Sequence, residues 1–124
     1  MNDLIYHEDS YAVIGLCMEI HNQLGHGFSE IVYKDALEYE LCENDIIYQR
    51  EKEYTVHYKK AILPHKFYAD IIVFDKIIIE IKCVKALTEE HMSQAINYLK
   101  VSKNKLALLI NFGRGKLEYK RVVY

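Results

Sequence analysis

Two carboxylates and a lysine lie within a run of residues that is otherwise typical of buried strands. Asp70 is followed ten residues later by Glu80 and then by Lys82, and most residues between them are isoleucine, valine or phenylalanine. Such a run predicts two buried strands joined by a tight loop. Because burying an isolated ionised carboxylate is costly, these charges indicate either an open end of the sheet or a bound cation.

The length of the loop decides whether the two carboxylates can share a ligand. Side chains alternate between the two faces of a strand, and directly paired residues share a face. A two-residue loop would send Asp70 and Glu80 to different faces. A three-residue loop at Phe74–Lys76 pairs Asp70 with Glu80 and leaves Lys82 on the same face. We expect this register, or a bulge of equal parity.

Carboxylate oxygens and neighbouring backbone carbonyls suit Mg²⁺ or Mn²⁺ better than zinc. Beside such an ion, Lys82 can orient or deprotonate a water molecule, or balance the charge of a phosphate. The implied reaction is phosphodiester hydrolysis. The pattern taken alone leaves an alternative open, in which Glu80 and Lys82 are neighbours on a half-exposed edge strand and Asp70 only ends its strand.

The composition is typical of a single globular domain. A length of 124 residues with 51% hydrophobic residues predicts a single domain over residues 1–124. No stretch is long and apolar enough for a membrane span, and the first residues lack the basic start of a signal peptide, so we expect a cytoplasmic protein. The three cysteines are far apart, which argues against a disulfide framework, a zinc site or an iron–sulfur cluster.

The charge is unevenly distributed along the chain. Residues 1–45 hold ten acidic residues and one basic residue, whereas residues 46–124 hold eight acidic and fifteen basic residues. This asymmetry permits a phosphate-rich substrate near the proposed site. A solvated surface of mixed charge would give the same asymmetry, so the alternative stays open.

Hydrophobic periodicity predicts the elements that must hold these residues. Asp9 or Ser10, Ser29 and Thr88 are the expected N-caps of three helices. The order α, α, β, β, β, α, β, β predicts an α+β fold with a mixed sheet flanked by helices. The predicted segments are helices at 9–24, 30–43 and 88–102, a strand at 46–58, a hairpin at 66–82 and closing strands at 105–112 and 116–123.

Three more polar residues lie on the predicted helices. Glu30 is in the first turn of the second helix, and Gln94 and Tyr98 lie one turn apart on the same face of the third. Met92, Ala95, Ile96 and Leu99 form the core side of that third helix. Polar side chains at the spacing of Gln94 and Tyr98 can reach one ligand.

These motifs together resemble a known superfamily. Asp70 followed by Glu80-Ile81-Lys82 resembles the PD-(D/E)XK phosphodiesterases, with Ala69 in place of the proline. The run from Gln94 to Tyr98 matches the Gln-x-x-x-Tyr element of the RecB-like branch. The run from Gly27 to Tyr33 looks like the Gly-x-x-Glu-x-x-Tyr signature of a family of small bacterial and archaeal proteins in that superfamily. The resemblance covers about residues 9–123 and implies a restriction-endonuclease-like core.

The resemblance also implies roles for the site residues. It implies a nuclease that uses Mg²⁺ or Mn²⁺ on a nucleic acid, with DNA favoured, and Lys82 as the catalytic lysine. Gln94 and Tyr98 would hold the substrate. The alternative is a catalytically silent module that binds nucleic acid or protein. The small size of the chain suggests action on accessible ends, or a homodimer or larger complex. The implied metal ligands are Asp70, Glu80, the carbonyl of Ile81, and Glu30.

Overall fold

The computed structural model describes residues 5–124, which form three helices and five strands in the predicted order. The fold is α+β, with a five-stranded mixed sheet flanked by helices, as the sequence predicted. The elements are α1 His7–Leu24, α2 Glu30–Glu43, β1 Tyr48–Tyr58, β2 Ala61–Val73, β3 Ile77–Lys82, α3 Glu89–Ser102, β4 Leu106–Asn111 and β5 Glu118–Val123.

The strands follow one another across the sheet in the order β1-β2-β3-β4-β5. β3 and β4 are parallel, and the other neighbouring pairs are antiparallel. The parallel pair is possible because α3 carries the chain back between β3 and β4. Within the described residues, no helix combines the length and apolar character needed to cross a bilayer.

Helices cover both faces of the sheet. α1 and α2 pack against one face, where the odd-numbered residues of β3 lie, and α3 packs against the other face with Ile78 and Leu109. Since side chains alternate along a strand, Glu80 and Lys82 point to the face that α3 covers. β3 is therefore fixed by isoleucine packing on one side while it presents its two charges on the other.

The loop between β2 and β3 has the predicted length. Val73 pairs with Ile77 across the three residues Phe74–Lys76, and Phe74 and Asp75 adopt left-handed φ angles of 55° and 54°. The paired register ends at Ile71 and Ile79. The next position along this register would bring Asp70 opposite Glu80.

Several boundaries differ from the prediction, by one or two residues except at the start of β2. β2 begins at Ala61 rather than residue 66. Pro64 lies within the strand, where β2 pairs only with β1 and the pairing register shifts, so its missing N–H is tolerated. α1 has Tyr6 as its N-cap, so the expectation of Asp9 or Ser10 was wrong. Ser10 is buried, and its hydroxyl donates to the His7 carbonyl.

The other two predicted caps were placed correctly. Ser29 is the N-cap residue of α2, although its side chain makes no capping hydrogen bond. Thr88 caps α3 through a capping box, in which its side chain accepts from the backbone N–H of His91 and the His91 side chain accepts from the backbone N–H of Thr88. His91 is thus used to begin the helix.

Candidate active site

Asp70 and Glu80 meet where β2 and β3 separate. The backbone N–H of Asp70 donates to Oε2 of Glu80 at 3.0 Å, and the backbone N–H of Ile81 donates to Oδ2 of Asp70 at 2.8 Å. Each carboxylate therefore accepts a hydrogen bond from the neighbouring strand just beyond the last paired residues. Because the N–H and C=O groups of one strand residue point to the same side, the Ile81 carbonyl faces the same gap.

Glu80 is a buried carboxylate with only 5% of its surface exposed. Burial and, after it, the nearby charge of Asp70 raise the pKa of Glu80 to about 8. The hydrogen bond from Asp70 and the charges of Lys82 and Lys34 offset only part of this rise in pKa. A carboxylate in such surroundings is stabilised in its charged form by any cation that can reach it.

Lys34 is a cation of this site that the sequence did not reveal. Its Nζ lies 2.9 Å from Oδ1 of Asp70 and 3.4 Å from Oε2 of Glu51, and the Lys34 and Asp70 side chains are only 15% and 13% exposed. Burial opposes the charge of Lys34, but Asp70 and Glu51 more than compensate, so its pKa is raised. The available signal was its position four residues after Glu30 on the same helix face.

Glu51 lies in β1 at the position that faces Asp70. The neighbouring pairs are Arg50 with Ile71 and Lys52 with Ala69, so the intervening residues of the two strands are Glu51 and Asp70. Glu51 has a left-handed φ of 53°, which is uncommon for a residue with a side chain. Glu51, Asp70 and Lys34 thus meet at an irregularity of β1.

A pocket of about 400 Å³ opens beside Glu80, between β2 and α3. Glu80 and Lys82 line it together with Gln94 and Tyr98, so four of the predicted site residues share one cavity. Asp70 is not in its lining, but it is hydrogen bonded to Glu80. No sequence pattern indicated the remaining lining residues, which are His65, Lys66, Phe67, Tyr68 and Asn97.

Tyr98 is sensitive to the charges of the site. Burial raises the pKa of its phenol to about 12, with further contributions from the negative charges of Glu80, Asp70 and Glu51. The phenol therefore remains protonated and can donate a hydrogen bond at neutral pH. Its ring also contacts Phe67 edge to face, with ring centroids 5.7 Å apart.

Glu30 forms no metal-binding group with this pair of carboxylates among the described residues. It is in the first turn of α2, one helical turn before Lys34. Burial and, after it, the charge of Glu30 raise the pKa of Cys83. Within residues 5–124, no three His, Cys, Asp or Glu side chains form a group that could hold a metal ion. A role for Glu30 as a metal ligand therefore stays a prediction.

The run from Gly27 to Tyr33 has a structural role. Tyr33 is fully buried, its hydroxyl donates to the Gly25 carbonyl at 2.7 Å and accepts from the Phe28 N–H, and its ring stacks on Phe112. Gly27 has a φ of 116°, a conformation that favours glycine. These residues fix the loop that leads into α2 and thereby position Glu30 and Lys34.

The sequence matches the family described as the PD-(D/E)XK nuclease superfamily over residues 7–122. This chain belongs to the PD-(D/E)XK nuclease superfamily. The crystal structure of a protein designated SSO0001 is similar in fold, with a TM-score of 0.59 and 20% sequence identity. The similarity covers 74% of this chain and 48% of that one, so this chain corresponds to about half of that protein. No curated protein matches the sequence significantly.

Members of the PD-(D/E)XK nuclease superfamily are generally hydrolytic nucleases that typically use divalent metals. The residues here fit such an ion chemically. Asp70, Glu80 and the Ile81 carbonyl supply oxygen donors, and the raised pKa of Glu80 is the property that a nearby cation reverses. The narrower resemblances, to the RecB-like branch and to the Gly-x-x-Glu-x-x-Tyr family, stay predictions.

Proposed function

We propose that this chain is a metal-dependent nuclease that hydrolyses phosphodiester bonds in DNA, or in RNA. The observation that carries the proposal is the pair Asp70 and Glu80 beside a pocket that Lys82 lines. The Glu80 carboxylate accepts from the Asp70 N–H, and the Asp70 carboxylate accepts from the Ile81 N–H, across the ends of two strands. A buried carboxylate with a raised pKa next to a second carboxylate is common at functional sites.

The proposed metal is Mg²⁺ or Mn²⁺, held by Asp70, Glu80 and the Ile81 carbonyl, with Glu30 as a further candidate ligand. When bound, such an ion supplies Lewis acidity and charge stabilisation for phosphodiester hydrolysis. Lys34 already pairs with Asp70, so it would hold that carboxylate in position before a metal arrives.

The remaining proposed roles belong to residues that line the pocket. Lys82 would orient the attacking water, or deprotonate it as a neutral amine, or pair as an ammonium with a phosphate oxygen. Tyr98 would donate a hydrogen bond to the substrate backbone, because its phenol keeps its proton. The amide of Gln94, one turn earlier on α3, would bind the same segment of substrate.

One observation favours the alternative of a catalytically silent binding module. Lys34 gives Asp70 a partner of opposite charge without any metal, and Glu30 is not grouped with Asp70 and Glu80 among the described residues. In that case the fold and pocket would serve to bind nucleic acid or protein without turnover.

The test is incubation with labelled single-stranded, duplex and branched DNA and RNA in Mg²⁺, Mn²⁺ or EDTA. We expect metal-dependent products that Asp70→Asn and Lys82→Met reduce by roughly 100-fold or more. Lys105→Met is the matched control for Lys82, since Lys105 precedes β4 at the opposite end of the sheet. Cleavage that persists in EDTA or in both site variants would refute the proposal, and binding without cleavage would select the silent module.

A further inference from the structure

The hairpin of β1 and β2 extends well past the rest of the sheet. β2 pairs with β3 only over Ile71–Val73, whereas it continues to pair with β1 as far as Ala61. The turn between Tyr58 and Ala61 is about ten residues beyond the last β2–β3 pair. At about 3.3 Å per residue, the hairpin therefore extends roughly 30 Å beyond the end of that pairing.

The far end of this hairpin, residues 57–66, is basic and exposed. It contains three lysines and two histidines but no acidic residue, although the whole chain carries a net charge of −2. Nine of its ten residues are exposed, including Tyr58 and Ile62 at 58% and 61%. We call this segment the hairpin tip.

Aromatic rings connect the hairpin tip to the candidate active site. The His65 ring contacts Phe67 edge to face at 4.8 Å between centroids, and Phe67 contacts Tyr98 in the same way at 5.7 Å. His65 and Phe67 both line the pocket that contains Glu80. His65 and Phe67 are two residues apart, so strand alternation places both on the same face of β2.

The shape and composition of this path point to a single strand. Lysines that attract phosphates, combined with rings on which bases can stack, are typical of single-strand binding. The pocket of about 400 Å³ has the size of a small-ligand site, which accepts about one nucleotide and not a double helix. The exposed amides of Gln94 and Asn97 on its wall can bind base edges.

We propose that the hairpin tip binds single-stranded nucleic acid and guides it along His65 and Phe67 into the pocket at Glu80 and Lys82. The proposal deepens the nuclease proposal, because it names the substrate class of that same site. The binding step itself needs no metal and no turnover, so binding can be measured when cleavage is absent.

The test measures fluorescence anisotropy of a labelled oligothymidine of about 16 nucleotides, and of its duplex, in EDTA at several salt concentrations. The tip variant is Lys59→Asn with Lys60→Gln, since asparagine tolerates the left-handed φ of 54° at Lys59. The matched control is Lys103→Asn with Lys105→Gln, because Lys103 also has a left-handed φ, of 63°, and lies at the opposite end of the sheet.

We expect the tip variant to lower the slope of log K against log salt by about 1.4, which is two phosphate contacts at about 0.7 each, and the control to leave it unchanged. His65→Ala should weaken binding roughly tenfold through lost stacking, and its exposed position should leave the fold intact.

Equal salt slopes for the tip variant and the control would overturn the proposal, as would duplex binding as tight as single-strand binding. Single-strand binding that depends on the tip, without cleavage, would support this inference and refute only the nuclease. Cleavage that does not depend on the tip would refute this inference and support only the nuclease proposal. Absence of oligonucleotide binding at low salt would also refute the single-strand proposal. This holds even if the part of β2 that pairs only with β1 is found to bind a peptide.

Discussion

Replacing Glu80 by glutamine should make the metal-free protein more stable, although it removes a proposed metal ligand. The Glu80 carboxylate is buried beside Asp70, and its pKa is raised from 4.5 to about 8. A glutamine oxygen can still accept the hydrogen bond from the Asp70 N–H, but it carries no charge. The variant therefore keeps the contact and removes the cost of a buried charge.

The magnitude follows from the change in pKa between the unfolded and folded states. A carboxyl group whose pKa is raised on folding contributes its full stability below the unfolded pKa, and it loses that stability as the pH rises through the folded pKa. With pKa values of 4.5 and about 8, the loss is about 1 kcal/mol at pH 5 and about 4 kcal/mol at pH 8. Glu80→Gln should recover these amounts.

Urea denaturation in EDTA between pH 5 and pH 8 measures this difference. We expect the advantage of Glu80→Gln to grow by about 3 kcal/mol over that range. The advantage of about 4 kcal/mol at pH 8 corresponds to a Tm increase of roughly 15 °C. Glu43→Gln is the matched control at an exposed carboxylate, and its effect should stay within about 0.5 kcal/mol at every pH. A Glu80→Gln variant that is no more stable than the parent protein at pH 8 would refute the reasoning.

Three further substitutions test the surroundings of the site. Lys34→Met should destabilise the metal-free protein by about 1–3 kcal/mol, since Asp70 loses its partner, and calorimetric titration should show tighter Mn²⁺ binding because a competing cation is gone. An unchanged urea midpoint would contradict this. Tyr33→Phe should cost about 1–3 kcal/mol through two lost hydrogen bonds, with or without EDTA; equal stability would argue against the role of the hydroxyl. Gly113→Ala should lower the stability by more than about 1 kcal/mol, since the new Cβ would lie 2.5 Å from backbone atoms of Val84. An unchanged thermal midpoint would rule out that close approach.

Much of the fold could be predicted from local patterns. The isoleucine-rich run predicted β2 and β3, and the parity of the Phe74–Lys76 loop predicted that Asp70 and Glu80 would meet. The start of β2 was predicted too late because Pro64 indicates a turn. It is tolerated where the strand has only β1 as a neighbour. Such a position depends on sheet order, which local sequence does not contain.

The site was predictable only where motifs contained its residues. Glu80, Lys82, Gln94 and Tyr98 line one pocket, as the resemblance of their two motifs to the superfamily implied. Lys34 was missed because its contact with Asp70 depends on how α2 packs across the sheet, which no spacing within α2 specifies. The aromatic path from His65 to Tyr98 was missed for the same reason, since it joins β2 to α3 across the pocket.

The most direct test of a shared metal site is a crystal structure grown with Mn²⁺ and analysed by anomalous scattering. We predict one strong peak within coordination distance, about 2–2.5 Å, of carboxylate oxygens from both Asp70 and Glu80. We also predict that the peak disappears in Asp70→Asn. A peak elsewhere, or both carboxylates still bound only to backbone N–H groups and Lys34 at saturating Mn²⁺, would contradict a shared metal site.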